Sequence, residues 1–398
     1  MSRRRPIPFA IPDIGQPEID AVVEVLRSRW LTTGQQCRRF EEQFAESVGA
    51  SNAVALNSCT AALHLSLEAL GVVEGDLVFM SPYTFAATAE VVRYLGATPV
   101  FVDIEATTLN IDPGKLRQAV ESRLDGQRGR PRAIVPVHMS GVPCAMGEIW
   151  DIAREHDLVV VEDAAHAFPA DRDGHRVGAV PDGVRGTVCF SFYATKTLTT
   201  GEGGMVTTEQ PDVADRIRMM SLHGLSRQAW SRYEAGGSWA YDIVAPGYKY
   251  NLTDVAAAMG LVQLERSQEM LGRRREIALA YSRAFGANPE LECPTVPPRT
   301  NSAWHLYVLR LHSALAETSR DNAVDELAKR GVGTSVHFIP LHLHSYYRDK
   351  YQFEPTDFPV ALSEYERALS LPIFSAMTDD EVAGVIEAVL EVTNQSTD

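Results

Sequence analysis

The middle of this 398-residue chain alternates short apolar runs with amphipathic stretches, and that alternation limits the fold more than any other feature. Ala53–Asn57, Leu77–Met80, Pro99–Val102, Ala133–Val137, Leu158–Glu162, Thr187–Phe192 and Gly204–Thr208 have the length and residue types of strands. Helical patterns fill most of the gaps, for example Thr60–Leu70, Phe85–Tyr94 and Met146–His156. Strand–helix alternation predicts an α/β fold, a mostly parallel seven-stranded sheet with helices on both faces. Such sheets bind ligands beyond the carboxyl ends of their strands, so the strand–helix junctions are where chemistry is expected.

The pattern changes after Thr253–Arg275, which reads as one long helix. Asn288–Arg299 is Pro-rich and reads as a connector. Strand-like Leu306–Leu311, helix Asp321–Arg330, strand-like Gly333–Phe338 and helix Asp379–Val392 then predict a smaller α+β unit. The expected division is a large domain with an N-terminal arm over residues 1–265 and a small domain over 266–398.

Composition narrows the partners. A hydrophobic content of 45% with charge spread along the chain fits a globular protein. The net charge of -15 argues against nucleic acid or an anionic membrane as the main partner, though a locally basic site for a small anion is compatible with it. Pro6, Pro8 and Pro12 interrupt the stretch behind the basic start, where a secretory signal needs an apolar core. No apolar run approaches the roughly 20 residues that span a bilayer. Cys37, Cys59, Cys144, Cys189 and Cys293 are scattered and never form a CxxC pair, so reduced thiols in a cytoplasmic protein are expected, and no metal site.

Four segments carry candidate chemistry. In Val159–Ala167 an apolar strand ends in Glu162-Asp163, which places an acid at the ligand edge of the sheet; the structural alternative is a helix cap. In Cys189–Met205, Lys196 stands among small, hydroxyl and apolar residues, where desolvation lowers an amine's pKa; Ser191 can donate to a phosphate, and Gly201, Gly203 and Gly204 permit close backbone approach. The alternative there is a surface lysine beside a glycine turn. In Asn57–Leu65 a strand runs into a helix whose start holds Ser58, Cys59 and Thr60, an anion site or a set of ordinary cap residues; His64 has apolar neighbours and reads as a packed histidine. In Ser81–Thr88, Phe85 can stack on a planar ring or simply fill the core. An amine, a buried acid and a phosphate cradle together fit the needs of pyridoxal 5′-phosphate (PLP), whose pyridine nitrogen must be kept protonated for the ring to act as an electron sink.

Taken in this order, the four motifs resemble the DegT-type family of sugar aminotransferases, within PLP fold type I. The resemblance runs from about Pro8 to Ile386 and includes Ser28–Gly34, Gly96–Asp103, Pro136-Val137-His138 and Leu371-Pro372. Within the family, Leu222–Leu225, Ala245–Leu252, Ala303-Trp304-His305-Leu306 and Tyr346-Tyr347-Arg348 are similar to the UDP-4-amino-4-deoxy-L-arabinose aminotransferase branch. The resemblance implies Lys196 as the Schiff-base lysine, Asp163 as partner of the pyridine nitrogen, and His166 beside the ring hydroxyl. It implies Ser58, Cys59, Thr60 and Ser191 as the phosphate cradle and Phe85 as the stacking residue. Cys59 stands where that cradle usually has glycine. In the broad family an Asn, with an Arg two residues on, reaches the neighbouring subunit's phosphate; those positions here are Lys249 and Asn251, so a homodimer with shared active sites is implied.

The implied reaction moves an amino group from glutamate to carbon 4 of a UDP-4-keto sugar. Arg348 and Lys249 are candidate contacts for the sugar's diphosphate, with His337 and Arg227 behind them, and Trp30 and Thr32 complete the expected substrate-binding set. Competing readings are amination at carbon 3 or of a keto-cyclitol, sugar 3-dehydration, and a non-catalytic regulator. The dehydrating relatives carry His in place of the lysine, so Lys196 argues against that reading, and intact Lys196, Asp163 and His166 argue against the regulator.

Overall fold

The computed structural model describes residues 5–125, 127, 129–226, 241–312 and 319–394. The strands of the first half are β1 (Asn52–Leu56), β2 (Asp76–Met80), β3 (Thr98–Phe101), β4 (Arg130–Val135), β5 (Val159–Asp163), the short hairpin β6 (Asp171–Arg172) and β7 (His175–Arg176), β8 (Gly186–Ser191) and β9 (Gly204–Thr208). Seven of them form one sheet in the order β1-β9-β8-β5-β4-β2-β3. These are the seven runs read from the sequence, each shifted by no more than a few residues. β9 runs antiparallel to both neighbours, and the other pairings are parallel. The reversal has a simple cause. No helix lies between β8 and β9, and a chain without a crossover can only turn back and pair antiparallel.

Both faces of the sheet are covered, which is why β2, β5 and β9 are buried along their whole length. Successive strand residues face opposite cores. Ala53, Ala55, Phe79, Ile134 and Val160 pack with Phe40, Phe44 and Trp150 on one side. Val54, Leu56, Val78, Val135 and Val161 pack with Leu63, Leu67 and Val92 on the other.

The predicted helix Thr253–Arg275 is two helices, Asp254–Glu265 and Ser267–Phe285, which meet at Arg266. Arg266 is tied there to Glu18 at 2.6 Å and Asp13 at 3.0 Å, which fastens the N-terminal helix Gln16–Ser28 across the break.

Beyond Phe285 lie β10 (Leu291–Glu292), β11 (Thr300–Asn301), β12 (Tyr307–Leu311) and β13 (Ala368–Leu371). A three-stranded antiparallel sheet, β10-β12-β13, forms a third core with the helices Ser267–Phe285, Arg320–Lys329 and Asp379–Asn394. Ile7 packs into this core as well, bridging to Val332. The expected strand Gly333–Phe338 does not form. Its backbone partners are divided: Gly333 donates to Ile7 and Ser335 bonds Ser370, so no continuous ladder can build. Among the described residues no helix is long and apolar enough to cross a membrane.

Candidate active site

Sheet register assembles the site. Leu56, Gly204 and Ser191 lie abreast across β1, β9 and β8, and Asp163 pairs with Cys189 on the adjoining strand. The carboxyl ends of β1, β5 and β8 therefore open on one edge. Helix Cys59–Ala69 starts there, with the Ser58 hydroxyl accepting from Ala61 N–H at 3.1 Å. The first N–H groups of a helix have no carbonyl one turn earlier, so Cys59 and Thr60 form a candidate anion-binding end. A Cβ on Gly204 would stand 2.5 Å from the Ser58 carbonyl and 2.7 Å from Cys59 N. Glycine is what allows the helix start to press onto β9 beside Ser191. Cys59 turns its thiol toward the Cys189 carbonyl at 3.8 Å.

Lys196 follows in the turn after β8, where its N–H bonds the Tyr193 carbonyl at 2.9 Å. Part of its surface is open, yet burial lowers its pKa to about 8, against the opposing pull of Cys59 and Asp163. An amine poised near neutrality can be a nucleophile and a base.

Asp163 is buried at the end of β5. Thr88 donates to it at 2.8 Å and Ala165 N–H at 3.2 Å. Burial raises its pKa; the Thr88 and Ala165 hydrogen bonds, Lys196 and His138 pull the other way. Among the described residues no cation forms an ion pair with this carboxylate, and a protonated pyridine nitrogen would supply one.

His166 lies near Lys196. Ser140 N–H points at its Nδ1 at 3.3 Å, which leaves Nε2 as the protonated nitrogen. Burial holds its pKa well below the usual range, reinforced by Lys196 and His337, so the ring is neutral. His337 is also neutral: burial and then Lys196 lower its pKa to about 4, and its Nδ1 meets the Ser370 hydroxyl at 2.9 Å. Phe85 is 62% exposed, with its ring 5.9 Å from that of Phe338.

The other expected residues fall elsewhere. Lys249 and Asn251 bond each other by their side chains on the segment that bridges to β1 at Leu56; Asn251 also donates to Thr33 at 2.8 Å. Trp30 donates to the Thr33 carbonyl at 3.3 Å, and the Thr32 carbonyl accepts from Asp254 N–H at 3.3 Å. Trp30, Thr33 and Asn251 border an open cleft whose lining does not include Lys196 or Asp163. Arg348 pairs with Asp349 at 2.9 Å on the helix Ser345–Tyr351. Arg227 lies outside the described residues. His64 is packed as expected, boxed by Tyr94, Tyr248 and Tyr250. Thr88 and His305 are the site-side residues that sequence reasoning passed over, although both sit inside motifs it singled out.

A buried strand-end acid and a desolvated lysine, on one edge of a seven-stranded sheet, place the chain among fold type I enzymes. Their cofactor, PLP, fits the acid, the cradle and the lysine found here. Residues 12–390 match the DegT/DnrJ/EryC1/StrS aminotransferase family, and the chain belongs to it. The chain is 47% identical over 387 residues to the spore coat polysaccharide biosynthesis protein SpsC of Bacillus subtilis, covering 97% of each. Among solved structures it is similar to Spr1654 of Streptococcus pneumoniae in its PMP form, with 34% identity and a TM-score of 0.89 over 98% of this chain and all of that one. The PLP form of the same protein matches at 33% identity and a TM-score of 0.88, over 98% of this chain and 99% of that one. Helicobacter pylori PseC, an aminotransferase of pseudoaminic acid biosynthesis, matches at 26% identity and a TM-score of 0.87, over 98% of this chain and 100% of that one.

Proposed function

We propose that this aminotransferase moves an amino group from glutamate to carbon 4 of a UDP-4-keto sugar, with Lys196 as its cofactor lysine. The observation that carries the reading is the meeting of a desolvated Lys196 with buried Asp163 beside a helix-start anion cradle. PLP, when bound, supplies an electron sink for the bond that breaks beside the nitrogen. The chain's own residues do the rest. Ser58, Cys59, Thr60 and Ser191 hold the phosphate, and Phe85 covers a ring face. Asp163 keeps the ring nitrogen protonated, and His166 turns its Nε2–H to the ring hydroxyl. In the donor half-reaction the Lys196 amine would take the proton from the donor's Cα and pass it to the cofactor, and in the sugar half-reaction it would run the same transfer in reverse, delivering a proton to the sugar carbon that gains the nitrogen.

A sugar substrate is supported by the relatives: SpsC is named for spore coat polysaccharide biosynthesis and PseC for pseudoaminic acid biosynthesis. The UDP and carbon-4 reading rests on the Ala245–Leu252, Ala303–Leu306 and Tyr346–Arg348 motifs. Lys249 and Arg348 are the cations assigned to the diphosphate, with Arg227, Trp30 and Thr32 as further contacts. His337 is held neutral in the unliganded protein by burial and Lys196, so it enters the substrate-binding set as an uncharged hydrogen-bonding group. A homodimer is part of the proposal. Trp30, Leu31, Phe85, Tyr193, Ile243 and Val244 are exposed on segments that carry or adjoin candidate site residues, and a second copy would cover them. The proposal also keeps the domain division near residue 265 and a cytoplasmic location.

The test supplies glutamate and a panel of acceptors, namely a UDP-4-keto pyranose, a nucleotide-linked 3-keto sugar and a keto-cyclitol, with products read by mass spectrometry. Amination of the UDP-4-keto sugar alone supports the reading. Full activity on the cyclitol, and none on any nucleotide sugar, overturns the substrate class.

A further inference from the structure

His166 belongs to the turn after β5, but elements from the C-terminal half hold it. The His305 ring lies 4.4 Å from it, tilted by 37°, and the Phe338 ring 5.9 Å away at 20°. Main-chain bonds lock the same parts together. Ala303 N–H donates to Gly141 at 3.0 Å and Leu306 N–H to Ser140 at 3.3 Å, while Ser140 N–H points at His166 Nδ1. Gly141 has φ +97°, and a Cβ on it would stand 2.9 Å from the His166 carbonyl and 3.1 Å from Trp304 N. The loop therefore has no slack between His166 and the Trp304-His305 segment.

Behind that segment sits Arg274, only 3% exposed. Its Nη1 donates to the carbonyls of Ile373 at 2.8 Å, Trp304 at 3.2 Å and His305 at 3.5 Å. Trp304 has φ +49°, a conformation in which a bulky residue stays only when its surroundings hold it. Burying a guanidinium is costly unless hydrogen bonds satisfy its donors, and Arg274 meets that need in part through these three carbonyls, its Nε being left without a partner among the described residues. What it fixes here is the backbone from which the His305 ring projects onto His166.

We infer that Arg274 and His305 are positioning residues for His166: Arg274 sets the Trp304-His305 backbone, and the His305 ring holds His166 with its Nε2–H turned toward the cofactor's ring hydroxyl. This rests on the reading that His166 meets that hydroxyl. The C-terminal half then tunes the cofactor through a residue in the turn after β5 without touching the reacting atoms.

The test compares the holoenzyme with the variants His166→Ala, His305→Ala, His305→Phe, Arg274→Met and Arg274→Lys. The readouts are the visible band of bound PLP, kcat and KM for the amino donor, and Tm. His166→Ala should change the band; an unchanged band sinks the reading of His166 and the inference with it. Given that change, His305→Ala should alter the band in the same sense and lower kcat by about 10–100-fold, the upper end being the scale of a 1 Å misplacement at a reacting centre, with KM within about twofold. His305→Phe, which keeps a ring there, should stay near wild type. Arg274→Met should behave as His305→Ala does, and Arg274→Lys should recover most of the loss, since an ammonium also has three donors. A wild-type band and kcat in His305→Ala would overturn the inference while leaving His166 in place. A lowered Tm in Arg274→Met without a change in band or kcat would make Arg274 structural only, and overturn its part. If Arg274→Met does not fold, His305→Ala and Arg274→Lys still decide.

Discussion

Thr88 donates its hydroxyl hydrogen to the Asp163 carboxylate at 2.8 Å, and is itself 2.8 Å from the Thr84 hydroxyl. The pair joins the helix after β2 to the end of β5, and the Thr88 hydrogen bond opposes the rise in pKa that burial imposes on this acid. Asp163→Asn should retain PLP yet lose about 10²–10³-fold in kcat, the scale of removing one electrostatic stabiliser from an active site. Thr88→Val deletes a hydrogen bond to a charged group, a contribution of about 1.5–3 kcal/mol, and should lower kcat by a smaller factor. Steady-state kinetics of both variants check this; a wild-type rate in Asp163→Asn would make the carboxylate a cap.

Lys196 gives a pH dependence whose sign is fixed. Its pKa falls from 10.5 to about 8 on folding, so between those values the unfolded chain binds more protons than the cofactor-free fold. Stability of the cofactor-free protein should therefore rise with pH across that window. Lys196→Met should flatten that rise. Thermal melts of both proteins at pH 7.5–10.5 measure it, and parallel curves would contradict the lysine's assigned environment.

The strands were legible because each is a short apolar run buried on both faces, which no amphipathic helix imitates. Their directions were not. That β9 runs against its neighbours follows from the missing crossover between β8 and β9, and pairing partners leave no local mark. The break at Arg266 was invisible for a related reason. No Gly or Pro marks it, and its ties are to Asp13 and Glu18, some 250 residues away in sequence. The burial of Asp163 at a strand end and the desolvated setting of Lys196 could be expected from their immediate neighbours. Thr88 and His305 could not be singled out inside their motifs, since their partners Asp163 and His166 meet them only in the fold. Gly333–Phe338 had the composition of a strand but not an available edge.

Gly204→Ala tests the cradle. The added Cβ meets the Ser58 carbonyl at 2.5 Å, which the backbone must relieve by moving the helix start. The expected loss is about 1–3 kcal/mol of stability, the range for overpacking, together with weaker PLP binding. A cofactor titration showing wild-type affinity would separate the helix start from the phosphate site.

Glu18→Gln tests the N-terminal tether. Burial opposes the charge on Glu18, but Arg266, Gly15 N–H and Gln263 outweigh it and hold its pKa below 4.5. The pair's contribution should be complete above pH 4.5 and disappear as pH falls through the lowered value. Denaturant melts of wild type and variant should therefore differ at pH 7 and converge in acid; a constant gap would contradict the ion pair.

The central claim, that Lys196 is the lysine that binds the cofactor, has one direct measurement. The holoenzyme is reduced with borohydride, digested, and the labelled peptide sequenced by mass spectrometry. The label should lie on Lys196, within Cys189–Met205, and be lost in Lys196→Ala, which should still bind PLP weakly. A label on Lys249 or any other lysine would contradict the account.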